Sequence, residues 1–467
     1  MSGYQKLSPL GGHYSFSCDE SYGTRNVKVS WQISTDESNQ VSSINKLNNG
    51  LRTHSAKLLE KIKLFFYQAF LPQGFPESVS DDYIEYQVWD TTQAFCSTLT
   101  SVLTTQAIMQ GMGVGNEAAS TLAAATAWII KDYSGMVGRI LFAWWGGSIM
   151  DSDCKRWRII ADIINDCAMF VELLLPWFGQ HYVVYLLALS SLGKSLVGVA
   201  GGATRASITQ HQARTDNVGD IAAKDGSQET CVNLTASLIG LAVLKLTTDN
   251  VILTWIFFFI LTGLHIYSNY RAVCCLQFNS LNRQRFLILF KHYLHSKEIL
   301  SPSQVRLQER ILFPLSEKEV FNLNITLGAS MSVFQASDSV CIAKYKDWCV
   351  ICYQKSHGRS LKCKPGDMRR VEDLSVVLRM NSDVKHILKS YCFAVFYNIK
   401  KNLSPSVSRF QKELKYENDE EEFKHNYFED FYYKLQGSQQ WDLSHLNHFQ
   451  INEWRYHNLT IDKEKIN

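Results

Sequence analysis

Residues 250–270, NVILTWIFFFILTGLHIYSNY, run for 21 positions without a formal charge. A helix that crosses a bilayer needs about 20 predominantly apolar residues, and this stretch meets that length. Trp255 and Tyr267 lie toward its ends, where ring side chains favour the membrane–water interface. A buried helix in a large soluble bundle fits the same letters, so the surrounding sequence has to discriminate.

The whole chain looks ordinary: 467 residues, 46% hydrophobic, 19% charged and a formal net charge of +3. That composition excludes a disordered chain, and so small a net charge leaves no footprint for nucleic acid. The length allows about two to four domains. The average conceals a division. From Pro72 to Arg285 there are 17 acidic and 13 basic residues in 214 positions, about 14%, whereas the remaining 253 positions are about 24% charged. The same segment holds 17 of the 26 glycines and only 3 of the 8 prolines. Low charge, abundant glycine and long apolar runs describe a helical membrane domain or a large buried helical core.

Three further uncharged windows, Thr91–Asn116, Ala118–Ile130 and Leu173–Gly193, are candidate spans, the last interrupted by Pro176 and His181. Gly111-Met-Gly-Val-Gly115 and Gly198-Val-Ala-Gly-Gly202 match the small-residue spacing that lets helices approach closely in lipid, although the first reads equally as a turn. Arg271, Arg283, Arg285 and Lys291 follow the 250–270 stretch, against Lys245 alone just before it, so the positive-inside bias puts the C-terminal part in the cytosol.

The fold expected is mainly α: a glycine-rich helical membrane-type bundle over 55–297, followed by a smaller α+β C-terminal domain over 298–467. Residues 1–54 read as a flexible polar lead with neither a secretory h-region nor the acid-poor composition of a transit peptide. Helical periodicity begins near Ser55. In the C-terminal part the pattern predicts a short helix over 304–312, strands over 320–326 and 331–334, and a hairpin of 348–353 with 360–364 around His357-Gly358. A helix is expected over 384–400, and the acidic stretch Glu417–Asp430 reads as a solvated segment.

Twelve cysteines without paired spacing suit a reducing compartment. Cys349-x-x-Cys352 with His357 and Cys363 offers four zinc-ligand types, but strand neighbours three apart point to opposite faces. Gly193-Lys194-Ser195 lacks the earlier glycine of a phosphate-binding loop, since Ala188 stands there. Gly111, Gly113 and Gly115 miss the dinucleotide pattern at Asn116. No HExxH or GxSxG occurs, so no enzyme class, metal or cofactor is indicated.

What the apolar core does contain is charged islands. Lys131, Asp132 and Arg139 form the first. The second comprises Asp151, Asp153, Lys155, Arg158, Asp162 and Asp166; on a helix, Arg158, Asp162 and Asp166 share a face at four-residue spacing. Arg205, His211, Arg214, Lys224, Asp225 and Glu229 belong to the third. Charges at membrane depth are costly and face a cavity, a pathway or one another. Internal ion pairing and a site for a ligand, lipid or ion are therefore the two readings.

The islands also carry a family resemblance. FLPQGFPESVSDDYIEYQVWDTTQAF (70–95), WIIKDYSGMVGRILFAW (128–144), VGVAGGATRASITQHQARTDNVGDIAAKDGSQETCVNL (197–234) and LNRQR (281–285) closely resemble the root UVB sensitive (RUS) family over about residues 55–315. The overall size is similar to that of its animal members. The resemblance implies links to light-dependent root growth, early seedling development, auxin transport and vitamin B6 homeostasis in plant relatives, and a membrane location in animal ones. It supplies no catalytic residues, and the plastid association of plant relatives lacks a matching leader here. Three functions follow: a membrane protein that binds or moves a small solute or lipid, a membrane-anchored interaction protein, and an enzyme on a B6-type ligand in which Arg205, Arg214 and Lys224 meet phosphate. The partners expected are membrane lipid, another RUS-family or other membrane protein, and a small molecule.

Overall fold

The computed structural model describes residues 14–21, 28–35, 41–47, 54–113, 121–332, 339–345, 349–354, 372–380, 382–401, 427–444, 449, 451 and 455–456. The chain groups into two compact units. One comprises residues up to Tyr83 together with Thr209–Thr235; the other comprises Ile84–Ile208 and everything from Ala236 onward.

In the first unit, β1 (Tyr14–Ser21), β2 (Lys28–Thr35) and β3 (Val41–Leu47) form an antiparallel meander. Strand pairing within residues 1–54 replaces the flexible lead expected from composition. The alternation of Phe16 and Cys18, of Trp31 and Ile33 and around Ile44 supplies the period of two that serine and asparagine mask. Helix α1 (His54–Phe70) follows, starting where the periodicity places it.

The long helices are α2 (Tyr83–Gly111), α3 (Thr121–Ser152), α4 (Cys154–Leu174), α5 (Gln180–Gln212), α6 (Val218–Thr247) and α7 (Val251–Cys275). Asn250 caps α7, its side chain accepting from the Leu253 amide at 3.0 Å. Among the described residues three helices are long and apolar enough to cross a membrane: α5 from His181, α6 and α7. The 250–270 stretch is thus one of them. The Leu173–Gly193 window is not one helix, because Pro176 sits in a 3-10 turn, Leu175–Trp177, that separates α4 from α5. The 91–116 window ends as α2 at Gly111, and part of the 118–130 window lies outside the described residues. Helices α5 and α6 escape a search for long uncharged windows because Lys194 and Arg205 interrupt α5 and Lys224, Asp225, Glu229 and Lys245 fall within α6.

These helices present apolar side chains outward. Ile252, Phe259 and Ile260 of α7, Leu238 and Leu241 of α6, and Ile140 and Trp144 of α3 are exposed, with Trp144 at 85%. On α7 the buried residues include His265, Ser268 and Asn269. Polar inside and apolar outside is the reverse of a water-soluble helix, and patches of this extent mark a membrane or partner surface.

The C-terminal core draws on helix α8 (Arg283–Ser296), upstream of residue 298. Asn282 caps α8 at 2.8 Å from the Arg285 amide, and Lys297 closes it in the left-handed region at φ 59°. Phe286 meets Tyr391, Phe431 and Phe449 edge-on at 5.3–5.7 Å. Helices α9 (Pro302–Arg306) and α10 (Glu317–Phe321) precede β4 (Leu323–Leu327). The other elements are β5 (Ser339–Tyr345), β6 (Cys349–Gln354), β7 (Glu372–Arg379), α11 (Val384–Lys401), α12 (Glu429–Gly437) and β8 (Arg455–Tyr456). The sheet order is β4-β7-β6-β5, with β4 parallel to β7 and β8 also paired to β7.

Five sequence expectations shift here. The strand expected over 320–326 is β4, which starts at Leu323 because α10 runs through Phe321, and Met331–Ser332 of the strand expected over 331–334 form a helical turn, 333–334 lying outside the described residues. The helix expected over 304–312 is the shorter α9, begun by a Ser301–Gln304 capping box. Strand β6 pairs with β5 and β7, while 360–364, His357 and Cys363 lie outside the described residues. The acidic stretch, described only from residue 427, ends in α12, where Phe428 and Phe431 are buried. Among the described residues no group of His, Cys, Asp and Glu side chains has metal-holding geometry.

A buried ion triad fastens the start of α4 to the start of α8. Lys155 Nζ stands 2.5 Å and Arg285 Nε 2.6 Å from the two oxygens of Glu309, all three side chains being under a tenth exposed. Lys155 also donates to the Leu276 carbonyl at 2.8 Å, and Arg285 to that of Ser280 at 2.9 Å. Burial pushes the Glu309 carboxyl up, but the Arg285 guanidinium and the Lys155 ammonium outweigh it and hold it below its ordinary 4.5.

The two glycine patterns separate. A methyl group on Gly111 would meet Leu175 Cβ at 2.8 Å and its backbone at 3.3 Å, whereas one on Gly202 would meet nothing within 4 Å. Gly111 is a close approach and, with Gly113 at φ 82°, begins a turn. We expect Gly111→Ala to cost about 1–3 kcal/mol and Gly202→Ala to stay within about 1 kcal/mol of wild type, read as Tm shifts of the purified chain in detergent. A folded Glu309 pKa below the unfolded one gives stability that is present above about pH 4.5 and lost as pH falls through the folded value. Glu309→Gln, which leaves two buried cations unpaired, should cost about 3–5 kcal/mol at pH 7 and flatten the loss on acidification; unfolding of both proteins at pH 7 and pH 4 checks it.

Candidate functional site

From His211 onward the third island is spent on backbone architecture in the first unit. Residues 71–83 lie against the α5–α6 turn: Ser80 N donates to the Gln212 carbonyl at 3.0 Å, Arg214 N to that of Ser78 at 3.2 Å, and Val79 bridges Ala213. His211 Nε2 stands 2.9 Å from Asp82, whose side chain is almost fully buried and also accepts from Ser80 Oγ. Lys224 Nζ donates to the Gln68 carbonyl at 2.7 Å and Gln228 to that of Phe70 at 2.5 Å. Arg214 reaches Asp81 at 3.3 Å on the surface. Asp216, at φ 54°, makes the turn. Asp225 is buried, Glu229 exposed and Arg205 half-buried. His211, Arg214 and Lys224 therefore hold one motif stretch against the other.

The first island stays apart. Lys131 pairs with its neighbour Asp132 at 3.3 Å and lies 4.4 Å over the Trp128 ring. Arg139 is exposed on α3, near Gly198.

In the second unit the middle of the second island becomes a network. Arg158, Asp162 and Asp166 do share a face of α4, and that face meets polar groups of α2 and α7. Arg158 Nη2 donates to Asp90 at 2.7 Å. Asp162 Oδ2 accepts from Gln93 Nε2 at 2.9 Å and from Asn269 Nδ2 at 2.5 Å. His265, one turn before Asn269 and 1% exposed, places Nδ1 2.9 Å from Asp166 Oδ2 and Nε2 2.9 Å from Gln93 Nε2. Gln93 must donate to Asp162, so its nitrogen faces His265 as a donor and Nε2 accepts. Nδ1 then carries the hydrogen that Asp166 receives. The pattern is satisfied by a neutral imidazole, and protonation of Nε2 would set two donors face to face until the Gln93 amide turned over.

His265 Nε2 also stands 3.7 Å from Asp162 Oδ2, and with three ionised carboxylates against one guanidinium the network's formal charge is −2 with a neutral His265 and −1 with a protonated one, negative either way. Asp166 Oδ1 is buried and bonded to nothing among the described residues. Native carboxylates at such depth are normally fully hydrogen-bonded. The arrangement favours a proton or a cationic group beside Asp166.

Asp90, Gln93, His265 and Asn269 are the partners a search by charged islands overlooks, since two are amides, one is a histidine left out of the charge count, and Asp90 stands alone in its stretch. Their signal is present: His265 and Asn269 fall four apart at the end of the most apolar stretch, where polar atoms have to face inward.

Residues 56–297 match the family described as "Vitamin B6 photo-protection and homoeostasis domain". The chain belongs to the root UVB sensitive family. It is 37% identical over 340 residues to Protein root UVB sensitive 3 of Arabidopsis thaliana, covering 70% of this chain and 74% of that protein. RUS family member 1 of Dictyostelium discoideum is 44% identical over 267 residues, 56% of this chain, so the match spans half of that relative's length. Protein root UVB sensitive 5 of Arabidopsis thaliana is 28% identical over 419 residues. No solved structure matches the chain. All the residues of the α2–α4–α7 network lie within the matched RUS domain.

Arg158 and Asp90 supply a direct test of the network. Arg158→Met alone is expected to destabilise the protein by about 2–3 kcal/mol by leaving the half-buried Asp90 carboxylate without its cation. Adding Asp90→Asn should recover about 1–2 kcal/mol. A double-mutant cycle from thermal unfolding in detergent measures the coupling, and strict additivity would show that the pair does not act as one.

Proposed function

We infer that this RUS-family chain is an integral membrane protein that binds and moves a small solute through the α2–α4–α7 network. The observation that carries the reading is Asp166: a half-satisfied carboxylate beside His265, in a net-negative polar cluster, enclosed by helices whose outer faces are apolar. Buried ionisable groups in such helices serve proton relays and substrate pathways. A cationic or proton-bearing solute would complete the hydrogen bonding of Asp166 and offset the charge. The description of the RUS domain by vitamin B6 homoeostasis makes B6 vitamers the first solutes to try, pyridoxamine among them for its amine.

A second reading is a membrane-anchored docking protein whose C-terminal part faces the cytosol. Leu307 and Phe313, 78% and 80% exposed on the segment between α9 and α10, favour it as an apolar contact surface. An enzyme on a B6-type ligand through Arg205, Arg214 and Lys224 has less support, since Arg214 and Lys224 are committed to Asp81 and Gln68.

Reconstitution of the full chain into liposomes tests the transport reading. Uptake of a labelled B6 vitamer, with a pH-sensitive dye inside, should occur for wild type and fall by about tenfold or more in Asp166→Asn and His265→Leu. No flux in wild type, or equal flux in the variants, would refute it.

A further inference from the structure

The start of α4 carries a charged group that the network does not use. Arg156 has no ion pair among the described residues, and its Nε is shut off from solvent without a hydrogen bond. Its neighbours are committed: Lys155 and Arg285 to Glu309, and Arg158 to Asp90. An unpaired guanidinium held partly away from water is costly unless an anion completes it.

Arg156 lines a cleft of about 240 Å³ between the start of α4 and the start of α8, together with Ser152, Asp153, Arg283, Ser316 and Glu317. Arg283 directs Nε at Glu317, 3.1 Å away, and Nη2 at the Ile325 carbonyl, 2.5 Å away, while its Nη1 donates to no described residue. Glu317 is further occupied by the Tyr391 hydroxyl at 2.8 Å. Ser316 Oγ accepts from Glu319 N at 3.4 Å and keeps a proton to give. With the small adjoining cavity included, the walls carry five basic and three acidic side chains. Asp153, at the N-cap of α4, makes no side-chain cap, so the first amides of that 21-residue helix also face this end.

We propose that this cleft binds a phosphoryl group, with Arg156 as its principal ligand and Arg283 Nη1 and the Ser316 hydroxyl as supporting donors. A guanidinium fork matches phosphate oxygens in a way an ammonium does not. The volume suits a head group rather than a drug-sized molecule, for which pockets run from about 300 Å³ upward. The cleft also stands at the end of α7, because Lys155 holds the carbonyl that follows that helix. If α7 spans, this is the depth of phospholipid head groups, so the phosphoryl group can belong to a lipid or to a soluble phosphate ester. The site itself does not depend on the transport reading.

The full chain is compared in detergent with rising inorganic phosphate, and in phosphatidylcholine nanodiscs with and without phosphatidic acid, by thermal shift and calorimetry. Saturable stabilisation by phosphate in detergent supports a soluble ligand, and stabilisation confined to phosphatidic acid discs supports a lipid; either sustains the proposal. Arg156→Gln should weaken the binding by about tenfold or more, and Arg156→Lys should retain part of it. Arg271→Gln, which removes the same charge from the same flank outside the cleft, should leave it as in wild type. Should Arg156→Gln fail to fold, the Lys variant decides: binding indistinguishable from wild type rejects the fork. Saturation by neither probe, or loss equal in the Arg271 and Arg156 variants, overturns the site.

Discussion

Glu309 is held by two cations that come from different parts of the chain, Lys155 at the start of α4 and Arg285 at the start of α8. Most else in this unit follows from that junction. The same cations take the Leu276 and Ser280 carbonyls, so the segment leaving α7 has its backbone satisfied where no helix ladder is available. Arg306 adds the Cys275 carbonyl at 2.8 Å. A buried ion pair is weak evidence of net stability, because desolvation consumes much of the Coulombic gain. Its stronger effect is on uniqueness: only one register of α4 against α8 pairs all three charges. That register in turn fixes which face of α4 meets α2 and α7.

Much of this architecture was legible in the letters. The uncharged run at 250–270 is one helix of the apolar set, and the four-residue repeat of Arg158, Asp162 and Asp166 does put them on one face. The third island was legible as charge but not as role. His211 and Lys224 work by binding Asp82 and a backbone carbonyl from 129 and 156 positions away, and spacing within a motif says nothing about such partners. Gln93, His265 and Asn269 stayed hidden for another reason. A count of formal charges treats Gln, Asn and neutral His as apolar filler, whereas in low dielectric their hydrogen bonds decide where a carboxylate can reside. The meander at 14–47 was hidden by composition, since serine-rich strands look like linkers until their register is known.

The polarity of the helices connects fold to chemistry. On α7 the outward residues are Ile252, Phe259 and Ile260, and the inward ones include His265 and Asn269. Were water the surrounding phase, this distribution would expose apolar area at about 25 cal/mol per Å² while burying groups that prefer solvent. In lipid both terms reverse. The inward polar atoms then have no alternative partner, so they organise one another, and Asp162 becomes the acceptor shared by α2 and α7. Asp166 stands at the edge of that organisation with one oxygen satisfied and one not.

Helix α4 therefore carries two opposite electrostatic environments along its length. Arg156 opens on a cleft that it shares with Arg283, Asp153 and Glu317, and Asp166, ten residues on and about 15 Å further along the axis, belongs to a net-negative cluster. The helix dipole alone would place positive potential at the first end and weaken toward the middle, so the side chains extend a gradient that the backbone begins. A single rigid element then links the two sites. The Glu309 junction lies one residue from Arg156, and Asp162, on the same helix, takes hydrogen bonds from both α2 and α7, so α4 carries both environments on one continuous element.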